Sequence, residues 1–136
     1  MNTIEAMASG LIESVYIPDS GILIPMLDAR RMEVYTGIYR KDLSVIEPVS
    51  AKIVDIDSFS EYNDQELFLF GDGAAKFKGL FSDQPNIHFI DFSASASHLN
   101  SLALKNSTNK EFENLAYFEP FYLKDFLFTI PKKSNL

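Results

Sequence analysis

LIPMLDARRMEVYTGIY, residues Leu23 to Tyr39, decides the fold of this chain. An apolar run, Ile22–Leu27, meets a compact charged turn, Asp28-Ala29-Arg30-Arg31. A second run, Met32–Tyr39, alternates. Val34, Thr36 and Ile38 share one face; Glu33, Tyr35 and Tyr39 share the other, with Gly37 between them. A period of two predicts a strand with one face buried. The stretch therefore reads as a hairpin of strands 22–27 and 32–40 that holds two arginines and flanking carboxylates at its tip.

Outward from the hairpin, the chain supplies the rest of one layered unit. Upstream, Ile4, Met7, Ala8 and Leu11 recur at helical spacing, with Asn2 or Thr3 placed to cap the stripe. Gly10 weakens the end of that helix. Pro18-Asp19-Ser20-Gly21 is a turn. Downstream, Lys41-Asp42 turns the chain into a third strand, Val45–Val54, whose Pro48 predicts an edge position or a bulge. Ser58-Phe59-Ser60-Glu61 fits a capping box opening a short helix. Glu66–Phe70 is a compact apolar strand followed directly by Gly71-Asp72-Gly73. Ala74, Phe77 and Leu80 or Phe81 give a helical stripe, and Ile87–Ile90 another short strand. Ser93 or Ser95 caps a helix with the stripe Ala96, Leu99, Leu102 and Ala103. Asn106-Ser107-Thr108-Asn109 reads as a loop. In the aromatic stretch Ala116–Phe128, Pro120 argues against one continuous helix, and 131–136 (PKKSNL) reads as a tail.

Strands joined by tight turns pair antiparallel, and strands joined through helices are usually parallel. The expected fold class is therefore α/β: a mixed sheet with an antiparallel three-strand meander and covering helices. Residues 1–130 make one unit.

Composition narrows the function classes. The chain has 136 residues, enough for one domain with a real core, and 46% apolar content is ordinary for a globular protein. Twelve Phe and six Tyr with no Trp predict a Phe-rich core. A net charge of −7 argues against binding nucleic acid by phosphate contacts alone, so a nucleic-acid role would run through a partner. The absence of Cys excludes disulfides and thiolate metal sites. Residues 1–14 carry no basic, long-apolar leader pattern, and no run reaches the length of a membrane span; the expectation is a cytoplasmic protein without a membrane partner.

Leu27-Asp28-Ala29-Arg30-Arg31-Met32-Glu33-Val34-Tyr35 resembles the IDARR-x-EVY segment of the bacterial TsaB (YeaZ-like) proteins, the glycoprotease-like peptidase homologues. Other weaker similarities follow in that family's order: Thr3–Ala8 resembles the helix linking its two lobes, FLFGDGAAKFK its second-lobe turn, the Ser-Ala helix start its counterpart, and Glu119–Lys124 its terminal P-x-Y-L-[RK] motif. The family's first lobe, with its Asp-Thr-Ser strand and Gly-Pro-Gly-Ser-[FY]-Thr-Gly-Leu-Arg segment, has no counterpart here. The resemblance thus implies the C-terminal lobe of an actin-like ATPase (ribonuclease H-like) fold without its N-terminal lobe. It further implies a non-catalytic subunit in forming the threonylcarbamoyl modification of the adenosine beside the tRNA anticodon. The implied partners are a TsaD-like transferase subunit, a TsaE-like ATPase and a homodimer copy, with tRNA reached only indirectly. No cofactor is expected, beyond ATP or ADP at a partner interface.

Each candidate site has a plainer structural alternative. Asp28, Arg30, Arg31 and Glu33 either recognise a carboxylate, a phosphate or a partner through arginine forks, or form local ion pairs that hold the hairpin. Gly71, Asp72 and Gly73 either lie near a nucleotide at a helix N-terminus or serve as a tight connection that needs glycine; the second reading is favoured, since neither GxGxxG nor GxxxxGK[ST] is present. Asp91, Ser93, Ser95 and His98 suggest a Ser-His-Asp hydrolase, but no G-x-S-x-G elbow accompanies them, and a serine cap is the better reading. His88 and His98 lack metal-ligand spacing. Tyr122 and its aromatic neighbours either dock back on the sheet, the favoured reading, or face another subunit. No catalytic residue and no metal ligand is expected. A sugar-kinase-like nucleotide-binding lobe and a peptidase are the alternatives.

Overall fold

The computed structural model describes residues 2–124. Its elements are α1 (Thr3–Ser14), β1 (Ile22–Asp28), β2 (Glu33–Arg40), β3 (Val45–Ile53), a 3-10 turn (Ser60–Tyr62), β4 (Leu67–Phe70), a second 3-10 turn (Ala75–Phe77), β5 (Ile87–Ile90), a third (Ala96–His98) and α2 (Leu99–Thr108). The strands form one sheet in the order β3-β2-β1-β4-β5. β1, β2 and β3 are the expected antiparallel meander. β4 and β5 extend it in parallel from β1. The mixed α/β sheet is as the sequence predicts.

The hairpin strands begin and end within a residue of the expectation, but β2 has no solvent face. Val34, Thr36 and Ile38 are buried on one side, Tyr39 is buried on the other, and Tyr35 packs partly beneath it. The alternation is real, yet both of its sets are apolar enough to bury. α1 covers the second set, joining Ile4, Met7, Ala8 and Leu11 to Leu23, Tyr39 and Phe70. The opposite core gathers Ile24, Met26, Val34, Ile38, Phe77 and Phe81. A strand covered on both sides tolerates the near-continuous apolar run of β1.

Pro25 sits inside this central strand without penalty. The β1–β2 ladder runs through Leu23↔Tyr39 and resumes at Met26↔Thr36, passing over the residue that has no N–H to give. The buried Thr36 hydroxyl donates to the Pro25 carbonyl at 2.8 Å. β3 takes the edge, where Pro48 is harmless, and its pairing shifts register on either side of Ile38.

α1 follows its stripe. Asn2 caps it, accepting the Glu5 amide at 2.8 Å. Gly10 does not end it; the helix continues to Ser14, and the Gly10 surface receives the ring of His98.

Several local expectations are corrected. The Ser58–Glu61 box opens no α-helix: Ser58 bonds back to Asp55, and only a 3-10 turn follows. The Ala74–Phe81 stripe is also not an α-helix. It forms a 3-10 turn and further turns, which still bury Ala74, Phe77 and Phe81 on one side. Residues 106–108 lie in α2 rather than a loop, which starts at Asn109. Of the α2 stripe, Leu102 is buried and Leu99 half-buried, while Ala96 and Ala103 face solvent. Residues 111–124 form no regular element, and the expected 131–136 tail lies outside the described residues. Among the described residues, no helix is long and apolar enough to cross a membrane.

Candidate functional site

The densest cluster of polar side chains lies where the β1–β2 hairpin meets the turn after β4. The hairpin tip closes through two backbone bonds: the Ala29 amide donates to the Glu33 carbonyl at 3.1 Å, and the Glu33 amide to the Arg30 carbonyl at 3.0 Å. Arg30 and Arg31 between them both adopt left-handed backbone, with φ of 78° and 49°. That region favours Gly, Asn and Asp, because a Cβ crowds the following carbonyl.

The carboxylates of the tip are taken by lysines from distant elements. Lys76 donates to Asp28 Oδ1 at 2.5 Å and to the Glu33 carbonyl at 2.8 Å. Lys124 reaches Glu33 Oε2 at 2.5 Å, with its ammonium 5.7 Å from the centroid of the Tyr35 ring. The hydrogen bond from Lys76 holds the Asp28 carboxyl below the usual range. Local arginine–carboxylate pairs therefore do not hold this hairpin. Among the described residues, neither Arg30 nor Arg31 makes an ion pair, and both are exposed.

Gly71, Asp72 and Gly73 join the same cluster by splicing onto the end of β1. Gly71 has φ of +99°, and a Cβ there would stand 2.3 Å from the Met26 carbonyl oxygen. The Gly73 amide donates to that carbonyl at 3.1 Å, and Asp72 Oδ1 accepts the Asp28 amide at 3.0 Å. The Ala74 amide closes on the Gly71 carbonyl. The Gly73 and Ala74 amides are thus engaged, and the 3-10 turn that follows is too short to carry the field of a helix N-terminus. Beside it, a cavity of about 230 Å³ lies at the carboxyl ends of β4 and β5, lined by Gly71, Lys78 and Asp91 among others. Carboxyl ends of parallel strands are where α/β sheets bind ligands.

Tyr122 lies on the segment that crosses the α1 side of the sheet toward Lys124. It is 79% exposed, and so are Phe118 and Phe121 in large part. The segment stands over the sheet without burying its aromatic rings, leaving a cavity of about 510 Å³ against Ile4, Leu27, Tyr35 and Val49. Docking is therefore carried by Lys124, not by the aromatics.

The serine–histidine cluster forms a cap. Ser95 Oγ accepts the Ser97 amide at 3.3 Å, while the Ser95 amide donates to His98 Nδ1 at 3.2 Å. The His98 ring stacks on Phe92 at 4.8 Å. Its Nδ1 accepts from the backbone rather than donating to a carboxylate as a triad histidine would. His88 pairs with the Glu66 carboxylate and stacks on Phe68 at 5.1 Å. Among the described residues, no three His, Asp or Glu side chains group as a metal site would need.

The structure thus unites Asp28, Arg30, Arg31, Glu33, Gly71, Asp72 and Gly73 at one end of the sheet, with Tyr122 near by. Lys76 and Lys124 were not singled out by sequence reasoning as site residues. Lys124 had a signal in the terminal motif; Lys76, 48 positions from its partner, had none.

The sheet, a three-strand meander extended by two parallel strands, is the mixed α/β fold that the sequence predicts. No family model and no curated protein matches the chain. A crystal structure of an uncharacterized protein with similarity to peptidase YeaZ from Pseudomonas aeruginosa does, with a TM-score of 0.59 at 18% identity. The match covers 91% of this chain and 57% of that one, so the chain spans little more than half of its neighbour's length. The fold is that of a YeaZ-like lobe.

Proposed function

We propose that this chain is a non-catalytic partner subunit of TsaB type in the threonylcarbamoyl modification of tRNA adenosine. It works with a TsaD-like transferase and a TsaE-like ATPase, and meets tRNA only through them. The observation that carries the reading is the superposition of 91% of the chain on a YeaZ-like structure. The charged hairpin supports it: its carboxylates are tied down by lysines, an arrangement suited to holding a surface rather than to moving protons. A peptidase reading is weakened by His98, whose Nδ1 accepts a backbone amide where a serine-protease histidine would donate from Nδ1 to a carboxylate. ATP or ADP at an interface with the partner remains part of the proposal, with the cavity beside Gly71 and Asp91 as its place.

Size-exclusion chromatography with light scattering tests the reading, using the chain alone and mixed with the TsaD-like subunit of the same organism. A stable mixed complex is the expected result. Failure to bind, when a two-lobed relative binds the same subunit, overturns it.

A further inference from the structure

The hairpin tip combines two features that its fold does not require together. The first is backbone. Two consecutive non-glycine residues, Arg30 and Arg31, hold positive φ. Left-handed backbone is best served by Asn or Gly, and long arginine side chains do nothing to form it. The second is charge. The carboxylates next to the arginines, Asp28 and Glu33, already accept Lys76 and Lys124. The guanidiniums consequently extend from a tip whose own negative charges are compensated.

The tip is also firmly mounted. The Asp72 carboxylate fixes the Asp28 amide, and Lys76 bridges Asp28 to the Glu33 backbone. The mounted backbone fixes where the two arginine side chains start, so on binding the side chains alone remain to be ordered.

We infer that Arg30 and Arg31 form a docking point for a carboxylate-rich segment of a partner protein. Bidentate pairing of each guanidinium with a carboxylate is the geometry such a site offers. A short acidic segment fits better than nucleic acid. Polynucleotide binding draws on many phosphate contacts, and a chain with a net charge of −7 would repel a long polyanion. The inference rests on the scaffold reading only for which protein carries that segment, not for its chemistry.

The test uses the full chain, isotope-labelled, with a hexaglutamate peptide as probe and a single-stranded RNA hexamer as competitor. Amide shifts followed by NMR are expected to concentrate at Ala29–Met32. The paired variant R30N/R31G supplies the residues the backbone prefers, so it keeps the hairpin while removing both guanidiniums. It should fold as well as the parent and weaken peptide binding by about tenfold or more. R30K/R31K keeps the charge but loses the forks, and should lie between the two. Shifts that spread elsewhere, binding unchanged in R30N/R31G, no binding at all, or tighter binding of the RNA would each overturn the inference. An R30N/R31G protein that unfolds would assign the arginines to the hairpin's own stability and overturn it as well. None of these outcomes touches the light-scattering result on which the scaffold reading stands or falls.

Discussion

The sheet and the C-terminal fifth of the described chain are built on opposite terms. In residues 4–90, each central strand is covered twice, by α1 on one side and by the turns carrying Phe59, Phe77 and Phe81 on the other. In residues 99–124, Leu102 is buried, while Phe112, Leu115, Tyr117, Phe118, Phe121 and Tyr122 all stand more than 60% exposed. The two regions have similar apolar appetite and opposite outcomes. The difference teaches that the stable unit is the sheet with its two covers, and that the later segment is attached at points: His98 against Gly10, Ser101 on Glu13, Lys124 on Glu33.

Substitutions can break this contrast or sharpen it. The largest effect should come from Phe77→Ala, a fully buried ring: about 3–5 kcal/mol of lost stability, read by chemical denaturation. Gly71→Ala should follow, at about 2–3 kcal/mol. It forces a Cβ onto the Met26 carbonyl and an alanine into left-handed backbone, and a loss in denaturant midpoint at constant slope would show it. A near-neutral result at either position would mean that the sheet is not the rigid unit described here.

Alkali provides a third probe of the sheet. Burial, then the charge of Glu5, pushes the Tyr39 phenol from 10.0 up to about 12. Because the folded value lies above the unfolded one, this stabilisation is complete below pH 10 and is lost as the pH rises toward 12. Tyr39→Phe has no phenol to ionise there, so its midpoint of alkaline unfolding should move to higher pH than the parent's. An unchanged midpoint would separate Tyr39 from alkaline unfolding.

Gly10→Ala sharpens the comparison at the junction. A Cβ there would stand 2.4 Å from the His98 ring, so the ring must leave. The substitution favours α1 by its helix propensity, by roughly 1 kcal/mol. Hydrogen exchange should therefore slow within α1 and quicken in α2, with little net change in global stability. Equal protection in both helices would show that they act as one unit. The smallest effect should be Phe121→Ala, within about 0.5 kcal/mol, because the ring is 81% exposed. A large loss would mean that the C-terminal segment belongs to the core after all.

Some features were legible in the chain and others were not. The strands of the hairpin, the third strand and both parallel strands follow from short-range pattern, as do the Asn2 and Ser95 caps. The Ser58 cap and the helix after Gly73 were misread. Their motifs are satisfied by other bonds, Ser58 to Asp55 and Ala74 to Gly71, which local sequence does not rank. For the hairpin tip, the charged residues were visible but their pairing was not. Asp28 and Glu33 lie beside two arginines in sequence, yet bond lysines 48 and 91 residues away.

Alone, the sequence determined the strands, their alternation and the placing of arginines and carboxylates at one turn, because these depend on neighbours two to four residues apart. Only the tertiary structure decided that β2 is covered on both faces, that Gly71-Asp72-Gly73 clamps the end of β1, and which cation neutralises which carboxylate. Those outcomes depend on distances across the fold, where burial and hydrogen bonding choose among partners that residue order leaves equally available.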